Sequence, residues 1–262
     1  MAFQKSEDES EDVQMTFGEH LDELRKILMH IGIAFVLLFI ALFAFFKGDI
    51  INIVFFPSES DFITNRLFSL NVNHFDLYNT KIAGQFMLHI KASAVGALVI
   101  AFPYAIGQLW GFVRPALSGT VKRRTRLIVW KIVFWFFLGV AFGYFIIAPL
   151  GINFLVNYEA SGSIQNIIDV SSYISTVLGV CLAAGLVFQL PLLIRLLASL
   201  GIVSSDWLRK NRKIAIVVIL VLSALITPPD IISQLLLFAP FYLLYEYGIS
   251  IAKNIEKQNA DR

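Results

Sequence analysis

The sequence predicts an all-α membrane protein with six transmembrane helices, several of them kinked at proline, which form a curved, concave wall. Of its 262 residues, 57% are hydrophobic and only 15% are charged. The mean hydropathy of +0.73 is far above that of a soluble globular domain. The six apolar segments are Ile27–Phe46, Ile90–Gln108, Ile132–Leu150, Tyr173–Ile194, Ile214–Ile226 and Ile231–Tyr245.

Lysine and arginine are concentrated in alternate connections between these segments. The stretch before the first segment has three, the second connection six, the fourth connection five and the stretch after the sixth segment three. Together these stretches hold 17 of the 21 basic residues. Because basic residues favour the cytoplasmic side of a membrane, both termini are predicted to be cytoplasmic.

A charged motif precedes the first segment. Thr16 and Glu19 have the spacing of a capping box, in which two side chains satisfy backbone amides at a helix N-terminus. The 20 residues Ile27–Phe46 carry no formal charge apart from a possible one on His30. At about 1.5 Å per residue they reach about 30 Å, the thickness of the hydrocarbon core. The motif is therefore expected to project from the membrane.

The domain organisation follows from the position of the apolar segments. Residues 1–14 are acidic and polar and predict a disordered cytoplasmic tail. A single six-span domain is predicted over residues 15–252 and a second cytoplasmic tail over 253–262. The first residues lack a basic region leading into an apolar core, unlike a secretory signal, and they are not an Arg-rich transit peptide. This favours a bacterial inner (cytoplasmic) membrane over an organelle.

Proline occurs inside or at the ends of four segments, as Pro103, Pro149, Pro191 and Pro240. A proline inside a helix removes a backbone donor and bends the helix. Bent helices of unequal length predict a curved wall rather than a straight bundle. Gly139 and Gly143 form a small-residue pattern typical of close helix–helix contact.

Three stretches are too short to span a membrane in the usual way. Ile50–Pro57 predicts a helix or turn lying at the outer interface, with Pro57 ending it. The last two segments are also short: the fifth, Ile214–Ile226, would rise only about 20 Å. A tight outward turn, Thr227–Asp230, is predicted to join them, with Asp230 as the N-cap of the last helix.

Signatures of catalysis and cofactor binding are absent from the sequence. It has neither a His-Glu-x-x-His nor a Gly-x-Ser-x-Gly motif and no phosphate-binding glycine loop. Four scattered histidines and one cysteine, Cys181, offer no metal-ligand spacing, and Cys181 is predicted to be buried and inert. We therefore expect a protein that is not an enzyme and has no cofactor, metal or nucleic-acid partner.

Each polar residue inside a membrane span is a functional hypothesis. Lys91 is close enough to the outer surface to extend into water. Gln189 needs a partner for its amide, either in a structural interhelical hydrogen bond or in a docking contact. Glu246 is expected to reach cytoplasmic water or a basic residue, and Gln234 to complete the cap made by Asp230.

Several motifs, taken in order, resemble the TatC subunit of the twin-arginine protein translocase. They are His20-Leu21-x-Glu23-Leu24-Arg25, Phe102-Pro103-Tyr104, Gln108-x-Trp110-x-Phe112-x-x-Pro115-Ala116-Leu117, Leu138-Gly139-x-x-Phe142-x-Tyr144-Phe145, Phe188-Gln189-Leu190-Pro191 and Thr227-Pro228-Pro229-Asp230-x-x-Ser233-Gln234. Each motif is modest alone, but their order over Phe17–Ile251 is specific. On composition alone, Trp110 and Phe112 are belt residues of the membrane interface.

The resemblance implies a receptor that binds twin-arginine signal peptides of folded precursors and recruits small single-span TatA- and TatB-like partners. It also implies assembly into homo- and hetero-oligomers within the lipid membrane. The implied signal-peptide residues are Glu23, Arg25, His20, Asp22, Glu19, Phe112 and Trp110. The implied partner-docking residues are Gln189, Pro57, Asp230, Gln234 and Thr227.

The sequence differs from the family pattern at one position of the first cytoplasmic loop, where Val121 stands in place of the usual glutamate. Either Asp22 or Glu19 substitutes for that glutamate, or recognition depends on Glu23 alone. Two carboxylates would suit two guanidinium groups through bidentate bonds. One alternative function is a small-solute transporter or channel, but the sequence shows no inverted repeat. Another is an intramembrane hydrolase, but the sequence has no nucleophile–base pair.

Overall fold

The structure, a computed structural model, describes residues 17–59, 61–68, 77–113, 125–158, 167–226 and 231–260, which are mostly helical. The helices are α1 (Phe17–Phe45), α2 (Lys47–Phe55), α3 (Ile63–Leu67), α4 (Gly84–Val113), α5 (Thr125–Phe142), α6 (Ala148–Asn157), α7 (Val170–Val187), α8 (Leu190–Ser199), α9 (Ser205–Lys210), α10 (Arg212–Ile226) and α11 (Ile231–Ala260). A 3₁₀ turn (Phe56–Ser58) follows α2, and a π-helical turn (Gly143–Ile147) joins α5 to α6. Strands β1 (Leu77–Tyr78) and β2 (Ile168–Asp169) pair in parallel.

Four stretches of helix among the described residues are long and apolar enough to cross a bilayer. They are Leu21–Phe45, Gly84–Phe112, Leu127–Asn157 and Val170–Ser199, and they contain or overlap the first four predicted segments. Helix α10 has only 15 residues, as predicted for a short fifth segment. A total of six spans remains a prediction.

Helix α11 is longer than the sequence predicted. The apolar part, Ile231–Tyr245, is short, but the helix continues without interruption to Ala260 and has 30 residues. The polar residues from 253 onward therefore extend the last helix. This extension contacts the start of α9: the Glu256 carboxylate accepts a hydrogen bond from the Ser205 backbone N–H at 2.6 Å and another from the Ser205 hydroxyl.

Helix α1 packs almost entirely on α4. The Phe43 ring stacks on His89 with 4.2 Å between ring centroids and meets Phe86 edge to face. These contacts place the end of α1 beside the beginning of α4, so the two helices run antiparallel. Because α1 has a single neighbour along most of its length, Ile27 is its only buried residue within the described range 21–45.

Helices α5 and α7 approach closely through glycine, which confirms the predicted role of the Gly139–Gly143 pattern. A Cβ atom at Gly139 would lie 2.6 Å from the Ala184 carbonyl oxygen, and one at Gly143 would lie 3.0 Å from Cys181 Cα. On α7, a Cβ atom at Gly185 would likewise lie too close to the Val140 side chain of α5. Small residues allow two helix backbones to approach. As predicted, Cys181 is buried in this interface.

The third and fourth spans are interrupted beside their prolines. Pro149 follows the π-helical turn, and because it lacks an N–H it cannot donate to the Phe145 carbonyl. The Thr64 hydroxyl of α3 donates to that carbonyl instead. Pro191 likewise follows a break, at Phe188–Gln189. Helices α4 and α11, in contrast, remain continuous through Pro103 and Pro240.

Two hydrophobic clusters form the core. One joins α7, α8, α10 and α11 around Phe188, Leu237 and Phe241. The other joins α2, α6 and the beginnings of α4 and α7 around Val54 and Ile174. Beside the second cluster, the Thr80 hydroxyl donates to the Asp169 carboxylate at 2.7 Å, and Asp169 caps α7. The short β1–β2 pair thus holds the connection before α4 against the start of α7.

Candidate functional site

The predicted signal-peptide motif lies on the first turns of α1. Asp22 and Arg25 are exposed, whereas Glu23 is half-buried. Glu23 precedes the buried Ile27 by four residues, so both lie on the stripe of α1 that faces α4. The Glu23 side chain is therefore less accessible to solvent than those of Asp22 and Arg25. His20 and Glu19 belong to α1, but their side chains lie outside the described residues.

The second half of the predicted site belongs to the end of α4. The antiparallel arrangement puts the end of α4 and the beginning of α1 at the same end of this helix pair. Trp110 is only 8% exposed, and its indole N–H has no hydrogen-bond acceptor among the described residues. The prediction that Trp110 is an interfacial belt residue is therefore wrong, because its ring packs inside the protein. Phe112 is half-buried, and Val121 lies outside the described residues.

Charged groups at this end of α1 are of both signs. Asp22, Arg25 and Lys26 are all exposed within two turns of helix, next to the half-buried Glu23. Carboxylates here can accept hydrogen bonds from guanidinium groups, which is the chemistry that an arginine-bearing peptide requires. Within the described part of the chain, no group of three or more His, Cys, Asp or Glu side chains could hold a metal ion.

Gln189 lies at the break between α7 and α8. Its side-chain amide donates to the Ile132 carbonyl of α5 at 3.3 Å and, at 3.5 Å, to the Gly185 carbonyl of α7. Of the two alternatives left open by the sequence, the interhelical hydrogen bond is therefore present. The side chain is half-buried, so part of it remains accessible for a docking contact.

Gln234 joins the last two helices. Its side-chain amide donates to the Leu220 carbonyl of α10 at 2.9 Å. The two helices lie side by side, so this bond joins α10 to α11. The predicted cap formed with Asp230 involves a residue outside the described part of the chain and stays a prediction. Thr227 and Asp230 themselves lie outside the described residues.

Pro57 occupies the 3₁₀ turn after α2, and its side chain is fully buried. Its carbonyl accepts a hydrogen bond from the buried Asn65 side chain at 3.1 Å. The predicted helix over this stretch is confirmed, and α2 ends at Phe55, just before the proline. A partner could sense Pro57 only through the shape of this turn, because the proline ring has no exposed surface.

Glu246 reaches a basic residue, as predicted. Its carboxylate forms a salt bridge of 2.7 Å with Arg212 and accepts a hydrogen bond from the Tyr242 hydroxyl at 2.9 Å. Lys91 is exposed and donates to the Ser175 hydroxyl at 3.0 Å. These residues connect neighbouring helices, α10 with α11 and α4 with α7.

Sequence reasoning did not identify the buried polar pair formed by His89 and Ser93. They are one helical turn apart in α4, and neither His89 Nε2 nor Ser93 Oγ has a hydrogen-bond partner among the described residues. Their spacing of four was visible in the sequence. Burial was not, because it depends on α1 covering that face.

Comparisons with known proteins agree on one family. The sequence model described as Sec-independent protein translocase protein (TatC) matches residues 19–240. The TatC protein of Blattabacterium sp. subsp. Periplaneta americana (strain BPLAN) is 34% identical to this chain, with 95% of this chain and 99% of the relative aligned. The TatC protein of Escherichia coli (strain K12) is 35% identical over 89% of this chain and 86% of the relative.

Solved structures give the same result. A crystal structure described as the twin arginine translocase receptor TatC superimposes with a TM-score of 0.77 at 30% sequence identity. The alignment covers 91% of this chain and all of the other. A second crystal structure, of the same receptor in the detergent DDM, has the same TM-score and covers 89% of this chain.

Proposed function

The chain belongs to the TatC family of Sec-independent protein translocase proteins, and from that premise we propose that it is a receptor for twin-arginine signal peptides. A protein-transport role in the membrane is common to the family, and the four apolar helices fit it. The observation that carries the receptor proposal is the half-buried Glu23 on the α4-facing stripe of α1, within the motif that carries the family resemblance.

The physical basis is a charge-assisted bond between Glu23 and an arginine of the signal peptide. A carboxylate that is partly withdrawn from water binds a guanidinium group more strongly than a fully solvated carboxylate, because less of the attraction is screened. Asp22 is exposed on another face and would contribute less. The rest of the proposed peptide site would be formed by Arg25, His20, Glu19, Phe112 and Trp110, with Trp110 acting from a buried position.

The predicted partner-docking residues are proposed to recruit TatA- or TatB-like proteins. Gln189 and Gln234 each use the amide N–H₂ group within the protein, and their amide oxygens have no hydrogen-bond partner among the described residues. A polar group on the membrane helix of a TatA- or TatB-like protein could donate to either oxygen. Thr227, Asp230 and the turn around Pro57 would define the outer end of the same docking surface. Lipid and further copies of the chain complete the proposed assembly, which lies in a bacterial inner membrane.

Replacing Glu23 by Gln tests the receptor proposal directly. The amide keeps the shape of the side chain but removes its charge, and a charge-assisted hydrogen bond typically contributes about 1.5–3 kcal/mol. Binding of a fluorescent twin-arginine peptide to the purified protein should therefore weaken by roughly ten- to a hundredfold. Asp22→Asn is the matched control, since it removes a neighbouring exposed charge, and it should change binding much less. Equal binding by wild type and Glu23→Gln would refute the proposal.

Replacing Gln189 by Leu tests partner docking. Recovery of TatA- or TatB-like proteins with the tagged receptor should fall, while the thermal unfolding midpoint should change little. Thr176→Val is a control in the same span, because among the described residues its hydroxyl bonds only to the Ser172 carbonyl of its own helix. If partner recovery is unchanged, Gln189 serves internal packing alone.

A further inference from the structure

We propose that the connection between α8 and α10, residues 200–213, binds anionic phospholipid headgroups at the membrane surface. This surface is distinct from the signal-peptide and partner sites. Its cytoplasmic location depends on the orientation included in the proposed function, whereas its affinity for anionic lipid depends only on the exposed side chains and charges described below.

Three large apolar side chains of this connection are exposed. Leu200 is 53% exposed, Ile202 67% and Trp207 56%. They follow within eight residues of Ser199, the end of an apolar stretch long enough to cross a bilayer. Because so few residues separate these side chains from Ser199, they lie at the edge of the hydrocarbon. Tryptophan is enriched at this level in membrane proteins.

The backbone fixes these side chains at the end of α8. The Ile202 N–H donates to the Leu197 carbonyl and the Gly201 N–H to the Ala198 carbonyl, which is the bonding pattern of a Schellman turn. Gly201 has a φ of 73°, a conformation that other residues adopt with strain. The chain therefore leaves α8 by a defined turn that exposes Leu200.

The opposite face of α9 is anchored to the protein. Ser205 and Leu208 are buried, and the Tyr245 hydroxyl of α11 donates to the Leu208 carbonyl at 2.8 Å. Glu256 accepts both hydrogen bonds from Ser205. Because α11 binds this inner face, Trp207 and its neighbours are fixed on the outer one.

Positive charge dominates the outer face. Arg209, Lys210 and Lys213 are exposed, and no salt bridge joins them to another described residue. Arg212 differs, because Glu246 neutralises it at 2.7 Å. Asp206 is the exposed acid of α9, so these three exposed cations of the connection 200–213 outnumber it three to one.

Apolar and basic side chains that lie together at a membrane surface suit an anionic lipid better than a twin-arginine signal peptide. A twin-arginine peptide would be repelled by the cations. An anionic headgroup would be attracted, and the apolar side chains would enter the boundary beneath it. Each basic residue close to an anionic surface strengthens binding by about fivefold.

The test uses the full chain purified in neutral detergent and titrated with phosphatidylglycerol or phosphatidylcholine, with bound lipid counted by native mass spectrometry. Wild type should retain phosphatidylglycerol preferentially. The variant Arg209→Gln/Lys210→Gln/Lys213→Gln should lose at least about tenfold in phosphatidylglycerol binding. The variant Arg66→Gln/Lys81→Gln is the matched control: it removes exposed cations from other connections and should bind as wild type does. If the triple variant cannot be purified, Lys210→Gln and Lys213→Gln should each lose about fivefold.

A second measurement locates the surface in the bilayer. The fluorescence of Trp207 is the difference between the emission of wild type and that of Trp207→Phe. In vesicles containing lipids brominated near the headgroup, this difference should be strongly quenched. Absence of a phosphatidylglycerol preference, or equal binding by wild type and the charge variants, would overturn the proposal. The proposal would also be overturned if the triple variant lost binding of an acidic protein partner but still bound phosphatidylglycerol as wild type does. Twin-arginine peptide binding should be normal in the triple variant. If wild type retains phosphatidylglycerol but does not bind the twin-arginine peptide, the result counts against the receptor proposal alone.

Discussion

His89 is a polar residue whose ring is buried between helices α1 and α4. Its side chain is 5% exposed, stacked on Phe43 and without a hydrogen-bond partner at Nε2 among the described residues. Ser93, one turn later on α4, is in the same situation. A buried polar group without a partner typically costs about 1–3 kcal/mol. The contact between α1 and α4 therefore carries a polar cost that apolar packing must offset.

Replacing His89 by Leu should raise the free energy of unfolding by about 1 kcal/mol, because the unpartnered ring nitrogen disappears while apolar contact with Phe43 persists. The measurement is the thermal unfolding midpoint in detergent. His30→Leu is the control, since His30 is exposed on α1 and its replacement should have a smaller effect. A clear drop in the midpoint for His89→Leu would mean that the imidazole has a stabilising partner.

At the scale of elements, the end of α11 acts as a support for the connection 200–213. Glu256 bonds to both the backbone and the hydroxyl of Ser205, and Ser204 caps α9 by accepting from the Trp207 N–H at 3.1 Å. Helix α9 has only six residues, so it would not persist without such contacts. The polar extension of α11 is therefore part of the folded protein.

Glu256→Gln should destabilise this connection by about 1 kcal/mol, because a neutral amide accepts hydrogen bonds more weakly than a carboxylate. Limited trypsin digestion after Arg209 or Lys210 should become faster, and mass spectrometry of the fragments measures it. Lys253→Gln, an exposed change on the same helix, is the control. Adding Ser205→Ala to Glu256→Gln should cost less than the sum of the two single changes, since the residues share one interaction. Full additivity would argue against the contact.

At the scale of the whole molecule, the distribution of basic residues predicts one orientation, with both termini in the cytoplasm. The structure guides the choice of labelling positions. Ser205 is buried under Glu256 and would react poorly as a cysteine, whereas the neighbouring Asp206 is exposed. Lys81, in the connection before α4, is exposed and is predicted to lie on the opposite side.

In a Cys181→Ala background, Lys81→Cys should react with a membrane-impermeant maleimide. The reagent is added to cells whose outer membrane is permeable to it and whose inner membrane is intact. Asp206→Cys should react only after the inner membrane is permeabilised. The buried native Cys181 is removed so that it gives no background. The reverse pattern of labelling would contradict the orientation and, with it, the cytoplasmic placement of the signal-peptide and lipid surfaces.

Four features could be predicted from the sequence alone: the membrane class, the four long apolar helices, the glycine contact between α5 and α7, and the family. These follow from local quantities: the length of an apolar run, the distance between two small residues, and the order of short motifs. The salt bridge of Glu246 was also foreseeable, because a charge after an apolar run must find water or an opposite charge.

Which side chains are buried, and which hydrogen-bond partners they have, could be read only from the folded chain. Trp110 is internal, Gln234 donates to the Leu220 carbonyl of α10, and Glu256 on the extension of α11 accepts a hydrogen bond from Ser205. Each outcome depends on a neighbour that is distant in the chain. Hydrophobic patterning specifies which face of a helix is apolar, but the free energy of burying a polar group depends on the partner that another helix brings to it.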